Sequence, residues 1–151
     1  MVQPILYSTE ILKALSGGDI RKANELMGKA YSIQALVVHG NHLGKSLGFP
    51  TANLELPENN PFLLANGVYA VTARVNDILY QGMANAGVRP TMHGKSLTIE
   101  INLFDFTGNL YGMTLSVNFY HRIRDEKKFE SLDQLVQQIR LDKTEALRLL
   151  S

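Results

Sequence analysis

Residues 32–121 carry short runs of β-branched and aromatic residues, interrupted at short intervals by glycine, proline or asparagine. This pattern favours antiparallel strands joined by turns, because branched and aromatic side chains pack well on a pleated surface. We predict strands near residues 32–39, 67–75, 78–84, 97–106 and 112–121. The pattern near residues 53–56 is too brief to decide on a sixth strand. Strands that follow one another this closely favour a barrel over a parallel sheet.

Two tight turns are predicted within the strand region. Asn76 and Asp77 lie between two β runs, and residues 107–109 (Thr-Gly-Asn) lie between two others. Asparagine, aspartate and glycine tolerate the backbone angles that short hairpin turns need. We therefore expect each turn to join two neighbouring strands of the barrel.

Two short helices are predicted before the strands. Ser8 or Thr9 is suited to cap a first helix, which Gly17 would end. Asp19 is suited to cap a second helix, with Gly28 just beyond its end. We predict that residues 1–30 form a helical, linker-like N-terminal arm. Residues 31–151 would then form the barrel domain with its C-terminal helices.

The tail of the chain has the spacing of a helix. Ser131 followed by Gln134 is a capping box, and apolar residues then recur at helical intervals. Asp142 with Glu145 repeats the same start signal further along, which indicates a second helix start. The apolar residues of the tail predict a helix packed on the outside of the barrel.

Composition narrows the class of protein. The chain has 151 residues, of which 45% are hydrophobic, and this is enough to build one core. The net charge is +1 and basic residues form no long run, which disfavours nucleic acid as the main partner. There is no cysteine, no apolar stretch of membrane-spanning length and no signal-peptide pattern at the N-terminus. We expect a cytoplasmic protein without membrane or nucleic-acid partners.

A glycine-rich segment follows the first predicted strand and indicates a phosphate site. Glycines let a backbone approach a phosphate closely. The segment is not a P-loop, because three residues rather than four separate Gly40 from Gly44, Lys45 and Ser46. Pro50 also disfavours a helix through the residues before it. A glycine-rich hairpin connection without a ligand remains the alternative.

Two oxygen-bearing side chains come directly after this segment. Thr51 and Asn53 lie two residues apart, so a hydroxyl and an amide can face one hydrated cation. The pair suggests a site for a nucleotide and Mg²⁺.

Glu100 is the candidate for acid–base chemistry. The period of two in residues 97–106 places Leu97, Ile99, Ile101 and Leu103 on one face of the strand. Glu100 then shares the other face with Phe104 and Phe106. A carboxylate among rings would be partly desolvated and its pKa raised, which suits a general base. A solvated glutamate on an exposed strand face is the alternative.

Taken in order along the chain, several segments together resemble riboflavin kinase, in particular the C-terminal module of bacterial bifunctional FAD synthetases. The resemblance covers roughly residues 28–145. The matching segments are His39-Gly40, Gly44-Lys45, Leu47-Gly48-Phe49-Pro50-Thr51-Ala52-Asn53, Gly67-Val68-Tyr69, Asn85-Ala86-Gly87-Val88-Arg89-Pro90-Thr91, Glu100, Leu110-Tyr111-Gly112 and Arg124-Asp125-Glu126-Lys127-Lys128-Phe129.

The resemblance implies a fold and a reaction. The fold is a six-stranded antiparallel β-barrel with Greek-key topology. The reaction transfers the γ-phosphoryl group of ATP to the 5′-hydroxyl of riboflavin, with Mg²⁺ as cofactor and FMN and ADP as products. Folding is then expected to bring the Thr51/Asn53 corner and Glu100 to opposite sides of one cleft.

The resemblance also assigns roles to residues. Glu100 would be the catalytic carboxylate, and Thr51 and Asn53 would hold the metal. The residues expected to bind ATP and its phosphates are Gly40, Gly44, Lys45, Gly48, Pro50, Thr51, Asn53 and Tyr111. The residues expected to bind the flavin are Arg124, Glu126 and Phe129.

Two other functions stay open at this point. One is a flavin- or nucleotide-binding regulatory module without turnover. The other is a small barrel that binds single-stranded nucleic acid, which would need aromatic platforms beside a basic groove. The chain begins where the adenylyltransferase domain of the bifunctional enzymes would end, so FAD synthesis is not expected. The oligomeric state is left undecided by the sequence.

Overall fold

The computed structural model describes residues 7–38, 51–57 and 61–151 of the chain. Its elements, in chain order, are α1 (Thr9–Ser16), α2 (Ile20–Met27), β1 (Tyr31–Val38), β2 (Ala52–Glu55), β3 (Gly67–Val75), β4 (Ile78–Thr91), β5 (Gly94–Leu103), β6 (Thr114–Arg124) and α3 (Leu132–Leu150). All five predicted strands are therefore present at approximately the predicted places, and the undecided segment near residue 53 is a sixth strand, β2.

The six strands in the described residues close into a barrel in the order β1-β2-β5-β4-β3-β6. Every pairing is antiparallel. Strands β3, β4 and β5 follow one another as neighbours, and β6 returns to lie beside β3, which is a Greek key. The predicted fold class is confirmed. Closure gives each strand two neighbouring strands, although β4 beyond Ala86 pairs with β5 alone.

The turn predictions have different outcomes. Asn76 and Asp77 have φ angles of 50° and 67° and join β3 to β4, as predicted. Residues 107–109 do not form a hairpin, because β5 pairs with β2 and β4 whereas β6 pairs with β1 and β3. The segment they belong to crosses between two strands that are not neighbours. Local turn chemistry cannot distinguish such a crossing from a hairpin.

Strand β4 is seven residues longer than predicted. It continues through Pro90 to Thr91, and a turn at residues 92–93 leads into β5. Proline is tolerated there because β4 pairs with β3 only as far as Ala86. Beyond Ala86 one side of β4 has no partner strand, so no backbone N–H group is needed there to donate a hydrogen bond to a neighbouring strand. Strand β5 correspondingly begins earlier than predicted and ends at Leu103, before the two phenylalanines.

The barrel interior holds the main hydrophobic core. Alternate residues of each strand point inward, as in β1, where Tyr31, Ile33, Ala35 and Val37 are buried and the residues between them are not. Phe119 lies fully buried at one end of this core. Its ring centroid is 5.8 Å from that of Tyr31, 5.7 Å from that of Phe62 and 5.6 Å from that of Tyr69.

The N-terminal helices pack on this same core. Leu15 of α1 and Ile20 and Ala23 of α2 are buried in one cluster with the barrel interior. The predicted caps are confirmed: the Ser8 hydroxyl accepts from the Ile11 amide at 3.2 Å, and Asp19 caps α2. The division of the chain at residue 30 into an arm and a barrel domain stays a prediction.

Helix α3 packs on the outside of the barrel, as predicted. Ala146 of α3 contacts a second cluster formed by Ala70, Met83 and Phe104 on the outer surface. The Ser131 hydroxyl accepts from the Gln134 amide at 3.2 Å and starts the helix. The second start predicted at Asp142 is wrong, because α3 is continuous from Leu132 to Leu150. Asp142 is a buried residue of the helix interior instead.

Within the described residues, the longest helix is too polar to cross a membrane, and the shorter ones are too short.

Candidate active site

One row of side chains runs across five strands on the outer face of the barrel. Asn53 of β2 pairs with Glu100 of β5, and Glu100 pairs in turn with Asn85 of β4. Asn85 pairs with Val68 of β3, and Val68 pairs with Arg124 of β6. Directly opposite residues share a face, with Cβ atoms about 5 Å apart. Asn53 and Glu100 are thus immediate neighbours on one surface, whereas the sequence predicted opposite sides of a cleft.

Irregularities in β6 bring Arg124 into this row. Two register shifts interrupt the pairing of β6 with β3, one between Ala70 and Val71 and one between Val68 and Tyr69. After the second shift Arg124 pairs with Val68, where regular pairing would have continued from Arg122 to the next residue. A bulge exchanges which residue faces outward. The row ends in a guanidinium group for this reason.

Glu100 lies in a partly desolvated position. Its side chain is half-buried, and burial raises the pKa of its carboxyl group above the ordinary value. Two charged neighbours modify this effect: the guanidinium of Arg89 lowers the pKa, and the carboxylate of Glu126 raises it further. The net direction is upward, as the sequence predicted. A raised pKa brings a carboxylate closer to the range in which it can accept a proton efficiently near neutral pH.

The rings expected beside Glu100 lie elsewhere. Phe104 is buried under α3, where the ammonium group of Lys143 lies 5.3 Å from its ring centroid. Phe106 packs edge-to-face against Tyr80, with centroids 5.3 Å apart. Strand β5 ends at Leu103, so the alternation does not extend to Phe106, which packs against the interior cluster. Phe104 is on the outer surface, as Glu100 is, but there it packs against α3.

Asn85 is a member of the site that sequence reasoning did not single out. Its Oδ1 atom is buried and has no hydrogen-bond partner among the described residues. A buried polar atom without a partner is costly and is often found where a ligand or ion supplies the partner. The signal in the sequence was its place in the Asn85–Thr91 motif, but only pairing with Glu100 shows which face it occupies.

Thr51 and Asn53 offer oxygen ligands at the β2 end of the row. Thr51 precedes β2 by one residue and is two residues from Asn53 along the chain. In residues 7–38, 51–57 and 61–151, no three histidine, aspartate or glutamate side chains converge to form a metal-ligand set. Neutral hydroxyl and amide oxygens fit a hard cation such as Mg²⁺, which takes few protein ligands and completes its shell with water and phosphate.

Glu126 reaches over the outer face of β4. Its carboxylate fills the space above Gly87, where even a methyl group would overlap it. Arg89 holds it there, with 3.0 Å between Nη2 of Arg89 and Oε1 of Glu126. Gly87 is two residues from Asn85 along β4 and therefore on the same face. The structure thus brings Glu126 to the same patch as Glu100.

Arg124 and Phe129 lie together beside this patch. The guanidinium carbon of Arg124 is 5.8 Å from the ring centroid of Phe129, and Nζ of Lys127 approaches the same ring to 5.8 Å. Arg124 also makes an ion pair with Asp142 of α3, at 2.8 Å. Arg124 and Phe129, two of the three residues predicted to bind flavin, therefore lie together at the end of β6, whereas the third, Glu126, lies over β4.

Tyr111 lies near the opposite end of the row. It belongs to the connection between β5 and β6 and is about half exposed. The amide of the next residue, Gly112, donates to the carbonyl of Val37 at 3.0 Å, which holds this connection beside β1. Strand β1 pairs with β2, where Val38 faces Asn53. The remaining residues predicted to bind phosphate, Gly40, Gly44, Lys45, Gly48 and Pro50, lie outside the described residues.

Fold and site together define a closed Greek-key barrel that presents a desolvated carboxylate beside two amides. Comparison with known proteins identifies the family. The sequence model of riboflavin kinase (Flavokinase) matches residues 27–150. The chain belongs to the riboflavin kinase family.

The relatives and solved structures agree with this placement. The bifunctional riboflavin kinase/FMN adenylyltransferase of Bacillus subtilis is 44% identical over 150 residues, which are 97% of this chain and 47% of the relative. A crystal structure of riboflavin kinase from Trypanosoma brucei has a TM-score of 0.58 at 25% identity and covers 79% of this chain and 78% of its own. The chain spans about half the length of the curated relatives it matches.

A second solved structure shares the fold more closely. It is a crystal structure described as a macrolide-efflux protein from Streptococcus pneumoniae, with a TM-score of 0.86 and 39% identity. The match covers 91% of this chain and 45% of that one. The likeness concerns the barrel and the helices packed against it.

Proposed function

We propose that this protein transfers the γ-phosphoryl group of ATP to the 5′-hydroxyl group of riboflavin, giving FMN and ADP. The observation that carries the proposal is the direct pairing of Asn53 with Glu100 on one face of the barrel. It sets a carboxylate able to accept a proton next to an amide able to face a phosphate-bound cation. Family membership supplies the identity of the two substrates.

Glu100 acts in this proposal as the general base. As the 5′-oxygen of riboflavin forms its bond to the γ-phosphorus, the proton of the hydroxyl group moves to the carboxylate of Glu100. The bond between the γ-phosphorus and the β,γ-bridging oxygen breaks, and its electron pair leaves with ADP. Asn53 and Asn85 are the cross-strand neighbours of Glu100 on either side. Partial burial limits the access of water, which would otherwise compete for the phosphoryl group.

Thr51 and Asn53 would hold the metal ion. The riboflavin kinase family uses ATP and a divalent metal, and we propose Mg²⁺ because the available ligands are neutral oxygens. Bound there, the ion would neutralise charge on the phosphates of ATP. The roles of Gly40, Gly44, Lys45, Gly48, Pro50 and Tyr111 on the nucleotide side stay predictions.

Arg124, Glu126 and Phe129 are the proposed flavin side of the site. Arg124 and Phe129 lie at the β6 end of the row and Tyr111 lies near the β2 end. Glu126 lies between them, over β4. This separation matches the need to hold two substrates on either side of one carboxylate. Orientation of this kind can supply much of the rate enhancement in phosphoryl transfer, which needs little covalent chemistry from the protein. A location in the cytoplasm also stays a prediction.

An assay of the purified protein tests the proposal. Riboflavin, ATP and MgCl₂ are supplied, and FMN, ADP and FAD are separated and quantified. We expect FMN and ADP in equal amounts, and a loss of both when EDTA is added. FAD is measured separately because its synthesis is a different reaction. Binding of riboflavin and ATP without FMN formation would contradict the proposal and support a regulatory module.

A further inference from the structure

Asp142 of α3 is a charged residue in an unusual place for a helix that packs on a barrel. It is 3% exposed, among residues that are otherwise mostly apolar. Burying a carboxylate is costly unless hydrogen bonds and an opposite charge compensate. Nε of Arg124 donates to both of its oxygens, at 2.9 and 3.1 Å, and Nη2 donates at 2.8 Å. Nε2 of Gln138 adds a further donor at 3.0 Å.

The hydrogen bonds to Asp142 are more numerous than the packing of α3 on the barrel requires. An apolar residue of similar size would dock α3 at least as well, since a buried ion pair contributes little net stability over apolar packing. What the pair adds is a defined orientation, because a guanidinium and a carboxylate bind in a planar, two-point geometry. The group whose orientation is defined is Arg124.

Arg124 in turn holds the segment that follows β6, residues 125–130. Its Nη1 donates to the carbonyl of Asp125 at 2.9 Å, at the start of the segment. Its guanidinium also lies 5.8 Å from the ring centroid of Phe129, near the segment's end. Arg124 therefore contacts both ends of the segment, while its guanidinium is held by the carboxylate of Asp142 on α3.

The 125–130 segment carries Glu126 to the reacting face. The carboxylate of Glu126 lies above Gly87 and is 3.0 Å from Arg89. Gly87 shares its face of β4 with Asn85, the cross-strand partner of Glu100. A continuous chain of contacts thus links α3 to the surroundings of Glu100: Asp142, Arg124, the 125–130 segment and Glu126.

We propose that Asp142 is a positioning residue of the site: by orienting Arg124 it holds the 125–130 segment against the barrel, with Glu126 above Gly87 and beside Glu100. The inference rests on the proposed kinase function for its effect on turnover. Its structural part, the placement of Glu126, stands apart from catalysis and can be measured without it.

The variant that tests the proposal is Asp142→Asn. Asparagine keeps the size of the side chain but removes the charge and the two-point acceptor for Arg124. The matched control is Glu145→Gln, which removes a carboxylate from the same helix. Glu145 accepts from Nε of Arg148 at 3.0 Å, in an exposed ion pair remote from the segment.

Three measurements are made on both variants. We expect Asp142→Asn to speed amide hydrogen exchange in residues 125–130 and to lower kcat/KM for riboflavin on the order of tenfold to a hundredfold, because small misplacements near a reacting group are costly. The KM for ATP should change much less. The NMR signal of the Gly87 amide then reports whether the carboxylate of Glu126 still lies above it.

The Gly87 signal separates positioning from a merely structural role. The carboxylate of Glu126 lies directly above Gly87 and is held there by Arg89. If Asp142→Asn releases Glu126, the Gly87 signal should move toward the position that it has in Glu126→Gln. In a Glu126→Gln background the same substitution should produce no further shift. The control should leave both the exchange and the Gly87 signal unchanged.

The outcomes are distinct. A shifted Gly87 signal in a protein that makes no FMN would leave the positioning role intact and remove the kinase function. An unchanged Gly87 signal together with unchanged exchange in residues 125–130 would overturn the positioning role, whatever the activity. If Asp142→Asn does not fold, Arg124→Lys replaces it, because lysine keeps a positive charge beside Asp142 but loses the planar contact. The same fall in kcat/KM and the same shift of the Gly87 signal are expected, and their absence would refute the proposal.

Discussion

The substitution Glu100→Gln gives the sharpest test of the proposed chemistry. Glutamine has nearly the shape of glutamate, and at this position it stays between the amides of Asn53 and Asn85. The folded structure should therefore be preserved. Only the capacity to accept a proton near neutral pH is removed.

The expected magnitude follows from the role of a general base. A positioned base contributes about 10²–10⁴-fold to the rate. At about 1.36 kcal/mol for each factor of ten, this corresponds to roughly 2.7–5.4 kcal/mol of transition-state stabilisation. The raised pKa of Glu100 favours a large contribution, because proton transfer is most efficient when the base titrates closer to the working pH. Binding of riboflavin and of ATP should change little.

Single-turnover measurement of FMN formation is the assay, since it reports the chemical step without product release. Isothermal titration with each substrate measures binding in parallel. Glu55→Gln is the control, because Glu55 is an exposed carboxylate on the neighbouring strand β2. A rate for Glu100→Gln within a few-fold of that of the control would refute the assignment of Glu100 as the base. A loss of riboflavin or ATP binding equal to the loss of rate would show that Glu100 binds substrate instead.

Three further results are expected. The pKa of Glu100 is higher in the folded state than in the unfolded state, so its contribution to stability is fully present below the unfolded pKa and is lost as pH rises through the folded pKa. In urea unfolding, Glu100→Gln should therefore gain stability relative to the parent protein as pH rises from the unfolded pKa to the folded pKa. A difference in stability that stays constant with pH would contradict this. Thr51→Ala should weaken binding of the Mg²⁺–nucleotide by about 1 kcal/mol, as expected for one lost polar contact; equal affinity in a metal titration would remove Thr51 from the site. Phe119→Ala should cost about 3–5 kcal/mol of unfolding free energy, because Phe119 is fully buried among three aromatic rings; a loss below about 1 kcal/mol would mean that the barrel end repacks freely.

Local signals in the sequence predicted the helices well. Ser8, Asp19 and Ser131 cap helices as expected, because each cap needs only a side-chain oxygen and an amide three residues away. The start signal at Asp142 is of the same kind and was wrong. There the carboxylate forms a buried ion pair with Arg124, a residue brought close only by the packing of α3 on β6. A capping pattern cannot reveal a competing partner that is distant in sequence.

The site was predicted in part. The motif residues Asn53, Glu100 and Arg124 were identified from the sequence, and the structure aligns them across the barrel. Asn85 and Asp142 were not identified, because a lone asparagine and a helical aspartate have no spacing that indicates a ligand or a contact. The neighbourhood of Glu100 was also misjudged, since its charged neighbours are Arg89 and Glu126 and the two phenylalanines lie elsewhere.

The class of fold can be predicted from the order of residues alone. The period of two in each strand and the turn residues between strands are local properties, so they are legible in the order of residues alone. The tertiary structure decided which residues meet. Strand order and register depend on packing between distant segments, and the two register shifts in β6 depend on how that strand fits against β3. One of those shifts turns Arg124 toward the row that holds Glu100, and a one-residue difference there would have faced it the other way.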